Sequence, residues 1–324
     1  MTATEPGNAT ARWSDRLELG EGARWVDGRL VLVDILSGRL LADSGRERLD
    51  VLAALTVPLG AVAAIHGTTD TWIAAAGTGV CIVTGTGTVT WLSRPEDRAH
   101  HRMRMNDAIA DPAGRLWAGS MAYDAAEGAG SLYRVDRDGT VSKALDGITI
   151  PNGPAFTDDG TTMYLADTAR RLVHRILVDP ASAALSEPEP FVDLTGGCGY
   201  PDGMTVDRDG GVWIALWGAG AVHRYRPDGE LDRVIELPAA QPTSVCLGGA
   251  DGCLLHITTA TYGLRAPGPH DGAVFTATVD VPGSASARFR PEGPMVAIRE
   301  AAAEPGAPTE ASGGQRSHDH RVRT

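Results

Sequence analysis

"DGMTVDRDGGVWIALW", residues 202–217, holds the unit from which this 324-residue chain is built. After the opening Asp202, apolar and polar residues alternate over a short run. "DRDG" then supplies the Asp and Gly that tight turns select. "GVWIAL" follows, rich in β-branched and aromatic residues, and reads as a second, more apolar strand. The stretch predicts a β-hairpin with a polar residue at its mouth.

The same unit recurs as "EGARWVDGRLVLVDI" (21–35), "NDAIADPAGRLWAGSM" (106–121) and "NGPAFTDDGTTMYLADT" (152–168). Less polar copies are "GAVAAIHGTTDTWIAAAGTGV" (60–80) and "TSVCLGGADGCLLHITTA" (243–260). Six copies spaced by 39 to 50 residues suit four-stranded blades better than any helical repeat. Further strand-turn units such as "GSLYRVDRDGTVSKAL" complete each blade. The chain therefore predicts an all-β fold, a six-bladed β-propeller of four-stranded antiparallel blades around a central channel. Trp72, Trp117, Trp213 and Tyr164 fall at matching places in the second strand and are expected to pack between blades.

Composition narrows the function classes. The chain is 43% hydrophobic and carries a formal charge of -12, with no basic cluster to neutralise phosphates, so nucleic acid is excluded as a partner. No apolar run approaches the roughly 20 residues of a spanning helix, and acidic excess disfavours anionic membranes. The start lacks a signal-peptide pattern, which makes the cytoplasm the default location. Residues 1–16 read as a flexible leader, 17–298 as one propeller domain, and the Ala-, Pro- and Gly-rich 299–324 as a disordered tail. Cys81, Cys198, Cys246 and Cys253 show no metal-type spacing and are expected as free thiols. Nothing in the chain speaks to oligomeric state.

Propellers bind ligands where the openings of the innermost strands converge on the channel. Those openings are Glu21, Leu59/Gly60, Asn106, Asn152, Asp202 and Thr243/Ser244. Asp209, by contrast, sits directly before Gly210, as Asp27 precedes Gly28 and Asp159 precedes Gly160, and is a turn residue. Two carboxylates gathered into one channel repel and lose solvation unless a cation lies between them. Glu21, Asn152 and Asp202 are thus candidate metal ligands, with Asn106 in reach. All four are oxygen donors, which favours Ca²⁺, Mg²⁺ or Mn²⁺, with Zn²⁺ also able to bind carboxylates. The glycines of "GTGVCIVTGTGTV" form no phosphate loop, and no Gly-x-Ser-x-Gly nucleophile motif occurs.

"LGEGARW" (19–25), "RMNDAIADPAGRLWAGSM" (104–121), "IPNGPAFTDDGTTMYLADT" (150–168) and "YPDGMTVDRDGGVWIALWGAG" (200–220) resemble the signature segments of the gluconolactonase, regucalcin and luciferin-regenerating-enzyme family. The resemblance runs from about residue 17 to 290. It implies a metal-dependent hydrolase acting mostly on sugar lactones. By motif position it makes Glu21, Asn152 and Asp202 the metal ligands and Asp202 also the acid/base residue. Arg104 and Asn106 fall where the family binds substrate, and Asp124 where some members hold sugar hydroxyls. His100 and His101 are expected in a solvated loop. Two other readings remain: a phosphotriesterase using the same metal, and a non-catalytic propeller that binds a small ligand or protein.

Overall fold

The computed structural model describes residues 9–197 and 199–293. The expectations for residues 1–8, for Cys198 and for the tail beyond residue 298 fall outside them. Twenty-four strands form six four-stranded antiparallel sheets. Blade 1 is Gly20–Val26, Arg29–Asp34, Arg39–Ala42 and Asp50–Ala54. Blade 2 is Leu59–Ala64, Thr71–Ala76, Gly79–Thr84 and Val89–Ser93; blade 3 is Met103–Ala110, Leu116–Ala122, Gly130–Val135 and Val141–Ile148. Blade 4 is Pro151–Phe156, Thr162–Asp167, Leu172–Leu177 and Glu189–Asp193; blade 5 is Tyr200–Val206, Val212–Trp217, Ala221–Tyr225 and Leu231–Glu236. Blade 6 runs Pro242–Gly248, Leu254–Thr259, Phe275–Thr278, and takes its outermost strand from Thr10–Ala11. The innermost strands pack in sequence around the ring, the sixth against the first. The six-bladed propeller read from the repeat is the fold.

Thr10 pairs with Thr276 and Ala11 with Phe275, so the strand that closes the ring lies inside the segment read as a leader. Trp13 and Leu17 are buried as well, packed with Leu30, Leu32 and Val274. The domain thus begins at or before residue 10. The physical cause is the open edge of a three-stranded last blade, whose unpaired N–H and C=O groups need a partner.

Each gap between neighbouring blades holds its own apolar core. Side chains alternate across a strand, so "TWIAAA" sends Trp72, Ala74 and Ala76 toward blade 1 and Ile73 and Ala75 toward blade 3. Both faces of the inner strands are covered, which is why those segments read as nearly continuous apolar runs. Trp72, Trp117, Trp213 and Tyr164 are all buried between blades, as their register predicts. The Trp117 and Trp213 indoles also donate to Asp111 and Asp207 at 2.9 Å. Cys81, Cys246 and Cys253 are free, and Cys246 faces His256 across the ladder rather than Cys253.

One end of the channel is crossed by residues 283–292, a strap that bonds to every blade. Gly283 bridges Asp207 of blade 5 and donates to Gly252 of blade 6, while Ser284 donates to Asp158 of blade 4. Ser286 exchanges hydrogen bonds with Trp25 of blade 1, Phe289 pairs with Ile65 of blade 2, and Arg290 N donates to Gly114 O of blade 3. No helix among the described residues is long and apolar enough to cross a membrane.

Candidate active site at the hub

All six innermost strands break register just after they open. The shifts lie between Glu21 and Arg24, Leu59 and Ala61, Met105 and Ala108, Asn152 and Ala155, Pro201 and Met204, and Pro242 and Ser244. A bulge inserts an unpaired residue and re-aims its neighbours, here toward the channel. The residue after the opening is Gly in four blades. Gly22 and Gly153 adopt φ of 56° and 51°, which glycine reaches without a Cβ clash. At Gly60 the need is one of space: a Cβ would lie 2.2 Å from Asn106 O of the next blade.

The result is a cavity of about 400 Å³ at the end away from the strap. Glu21, Arg104, Asn106, Asn152, Thr168 and Asp202 line it, all buried. Its walls are apolar, with Leu19, Ile35, Met121 and Ile150 among them, and Tyr200, Trp217 and Tyr262 also line it. Five of the six residues singled out as site residues are therefore brought together. Asp124 is not: it stands exposed on its loop, accepting hydrogen bonds from His101 Nδ1 at 3.3 Å and Ala126 N at 3.2 Å. The short turn "YDAA" uses that carboxylate to cap its own backbone, which holds it out of the cavity.

A chain of hydrogen bonds joins three blades across the cavity. Arg104 Nη1 donates to Asn106 Oδ1 at 2.7 Å and to Met105 O at 3.0 Å. Asn106 Nδ2 donates to Asn152 Oδ1 at 2.7 Å and to Pro151 O at 3.0 Å. Asn152 Nδ2 donates to Thr168 Oγ1 at 2.9 Å, and Thr168 Oγ1 donates to Pro201 O at 2.7 Å. Both amide hydrogens of Asn106 are spent inside this network, so what it can offer a ligand is the remaining lone pair of Oδ1.

Glu21 and Asp202 carry the electrostatic strain. Burial, then the charges of Asp202 and Asp107, push the Glu21 carboxyl well above the ordinary carboxylate range; Gly22 N–H, 3.0 Å from Oε2, works the other way. Burial and Asp107 likewise push Asp202 up, against hydrogen bonding to Glu21 and the charge of Arg104. Burial pulls the Arg104 guanidinium down, while Tyr123, Glu21, Tyr262 and Asp202 act in the opposite sense. Asp202 Oδ1 is buried with no hydrogen-bond partner among the described residues. An orphaned carboxylate oxygen, a second buried carboxylate and an amide oxygen together match what a hard divalent cation requires. Among the described residues no group of three or more His, Cys, Asp or Glu side chains forms a metal site, so any cation here rests on two carboxylates and the Asn152 amide.

Two features escaped the sequence reading. Thr168 directly follows the second strand of blade 4, as the first residue of a one-turn 3-10 helix (Thr168–Arg170), and reads in the sequence like one more polar residue at a strand end. Asp107 stands where four other blades carry Gly, and its carboxylate pairs at 3.0 Å with buried Arg24. The departure from Gly was the available signal.

The family profile described as SMP-30/Gluconolactonase/LRE-like region matches residues 19–261. A pentonolactonase from Haloferax volcanii is 46% identical over 158 residues, 48% of this chain and 53% of that protein, so this match spans about half of the relative. An L-arabinolactonase from Azospirillum brasilense is 35% identical over 298 residues, 87% of this chain and 96% of that one. A crystal structure of a regucalcin from Agrobacterium tumefaciens, described as a calcium-binding protein, superposes with a TM-score of 0.83 at 31% identity and covers 90% of this chain and 100% of that chain. With the propeller and the hub residues in place, the chain belongs to the SMP-30/gluconolactonase/luciferin-regenerating-enzyme-like family.

Proposed function

We propose that this protein is a divalent-metal-dependent lactonase that opens the ester of a sugar lactone, an aldonolactone such as gluconolactone. The observation that carries the reading is the meeting of Glu21 and Asp202, from blades 1 and 5, as buried carboxylates beside the Asn152 amide. Relatives named pentonolactonase and L-arabinolactonase support the substrate class. A cytoplasmic setting belongs to the same proposal.

Glu21, Asn152 and Asp202 would hold the cation, Ca²⁺ in first place, with Mg²⁺, Mn²⁺ and Zn²⁺ as alternatives for an all-oxygen set. A bound cation would supply Lewis-acid polarisation of the carbonyl oxygen and the positive charge that keeps both carboxylates ionised. Ionised Asp202, its Oδ1 free of protein donors, takes the proton of the water that attacks the carbonyl carbon. It then returns that proton to the ring oxygen as the C–O bond breaks. Arg104 keeps guanidinium donors uncommitted among the described residues and binds substrate oxygens with them. The apolar walls exclude bulk water from the reacting ester.

The test is acid release from a panel of aldonolactones, followed at constant pH, beside an aryl phosphotriester. Chelator-stripped protein should lose turnover of the lactones and recover it with added Ca²⁺ or Mn²⁺. Undiminished lactone hydrolysis by metal-free protein defeats the proposal. Metal-restored turnover of the triester alone would make the protein a phosphotriesterase.

A further inference from the structure

We infer that Thr168 is a positioning residue: its hydroxyl sets the orientation of the Asn152 amide and so presents a carbonyl oxygen, not an N–H, beside Glu21 and Asp202. The purpose assigned to that oxygen rests on the function proposed above.

The argument follows from donor and acceptor inventories. The hydrogen-bonded chain begins at Arg104, whose guanidinium can only donate, and ends at Pro201 O, which can only accept. Polarity is thereby imposed on everything between. Asn106 must turn Oδ1 to Arg104 and Nδ2 to Asn152, and Pro151 O, a second pure acceptor, enforces the same choice at 3.0 Å. Thr168 spends its single proton on Pro201 O, so its oxygen is left to accept from Asn152 Nδ2. The Asn152 oxygen therefore takes the hydrogen bond of Asn106 on one lone pair and keeps the other. A flipped Asn152 amide would set N–H against N–H at Asn106 and aim hydrogens where a cation needs an oxygen.

The ring of edge strands explains why side chains perform this task. The innermost strand of each blade has no further strand on its channel side, and neighbouring blades supply donors to carbonyls there: Asn106 to Pro151 O, Thr168 to Pro201 O, and Thr243 to Gly20 O. Pro201 directly precedes Asp202, so the Thr168 hydroxyl links the strand of one proposed ligand to the side chain of another. The backbone at residue 168 is held by separate bonds, Thr168 N to Ile150 O and Arg171 N to Thr168 O, each 3.0 Å, and does not depend on the hydroxyl.

Thr168→Val keeps the shape and removes the hydroxyl; Thr168→Ser restores the hydroxyl and removes a methyl. In metal-free full-length protein, side-chain ¹H–¹⁵N resonances of Asn152, assigned by their loss in Asn152→Asp, should stay resolved and protected from solvent exchange in wild type and the Ser variant. In the Val variant they should broaden or exchange freely. By calorimetric titration of Ca²⁺ or Mn²⁺, the Val variant should bind roughly 10- to 100-fold more weakly than wild type, the range found when groups that orient metal ligands are lost, and the Ser variant close to wild type. Circular dichroism of each variant checks the fold. Unchanged Asn152 signals in the Val variant, or failure of Ser to rescue them, overturns the inference. Intact Asn152 signals in a wild type that binds no divalent cation would overturn the proposed function and leave the positioning role standing.

Discussion

Asp202 shows how one side chain changes meaning with its place in a repeat. Asp209, seven positions on in the same sequence stretch, serves a turn, whereas Asp202 opens a bulged strand and is buried opposite Glu21. Asp202→Asn nearly preserves size but removes both the proposed base and one proposed anionic ligand. Lactone turnover should fall by roughly 10²- to 10⁴-fold or more, with the circular dichroism spectrum unchanged, and wild-type rates in that variant would end the acid/base assignment. Glu21, Asn106, Asn152 and Asp202 were legible as openings of a repeated unit, and Arg104 only through the family resemblance. Thr168 was not, because its importance lies in a partner on the next blade. Asp124 was misplaced for a related reason: motif position names a loop, but the local hydrogen bonds of that loop aim its side chain.

Among the elements, the bulged inner strands are the parts that convert a repeat into a site. Gly60→Ala would press a methyl group onto Asn106 O, backbone that cannot swing away. Overpacking of this kind costs about 1–3 kcal/mol, so a lower urea midpoint is expected, together with weaker lactone binding as Asn106 is displaced. Blade 6 carries a different liability. His256 is buried between Trp25, stacked at 5.2 Å, and Trp13 at 6.3 Å, and neither ring nitrogen has a partner among the described residues. Burial pulls its imidazole down to about 4, with Asp43 acting weakly the other way. A base depressed in the folded state stays neutral there while the unfolded chain takes up a proton. Its contribution is complete above about pH 6.5, is lost as pH falls, and levels off below about 4. The span corresponds to about 3 kcal/mol. His256→Leu should flatten the melting temperature against pH between 6.5 and 4 relative to wild type; parallel curves would remove His256 as the acid-sensitive group.

In the molecule as a whole, six blades are locked from two directions. Thr10–Ala11 closes the ring sideways, and residues 283–292 bind all six blades across the end remote from the cavity. Phe289, fully buried against Ile65, Met105 and Ala108, anchors that strap. Phe289→Ala should destabilise by about 3–5 kcal/mol on chemical unfolding. The Michaelis constant for lactones should hold steady, because the strap and the cavity share no lining residue. A large rise in that constant would show the two ends of the channel to be coupled.

Local pattern was enough for the blade count, the strand register of the tryptophans and four of the polar residues that line the hub cavity, Glu21, Asn106, Asn152 and Asp202, since strand alternation and turn chemistry act over a few neighbours and repeat six times. Three things arose only when distant segments met: the partner strand at residues 10–11, the strap, and the hydrogen-bonded order running from Arg104 to Pro201. Ring closure, burial and donor-acceptor pairing between blades depend on groups far apart in the chain, and no short-range rule encodes which of them will touch.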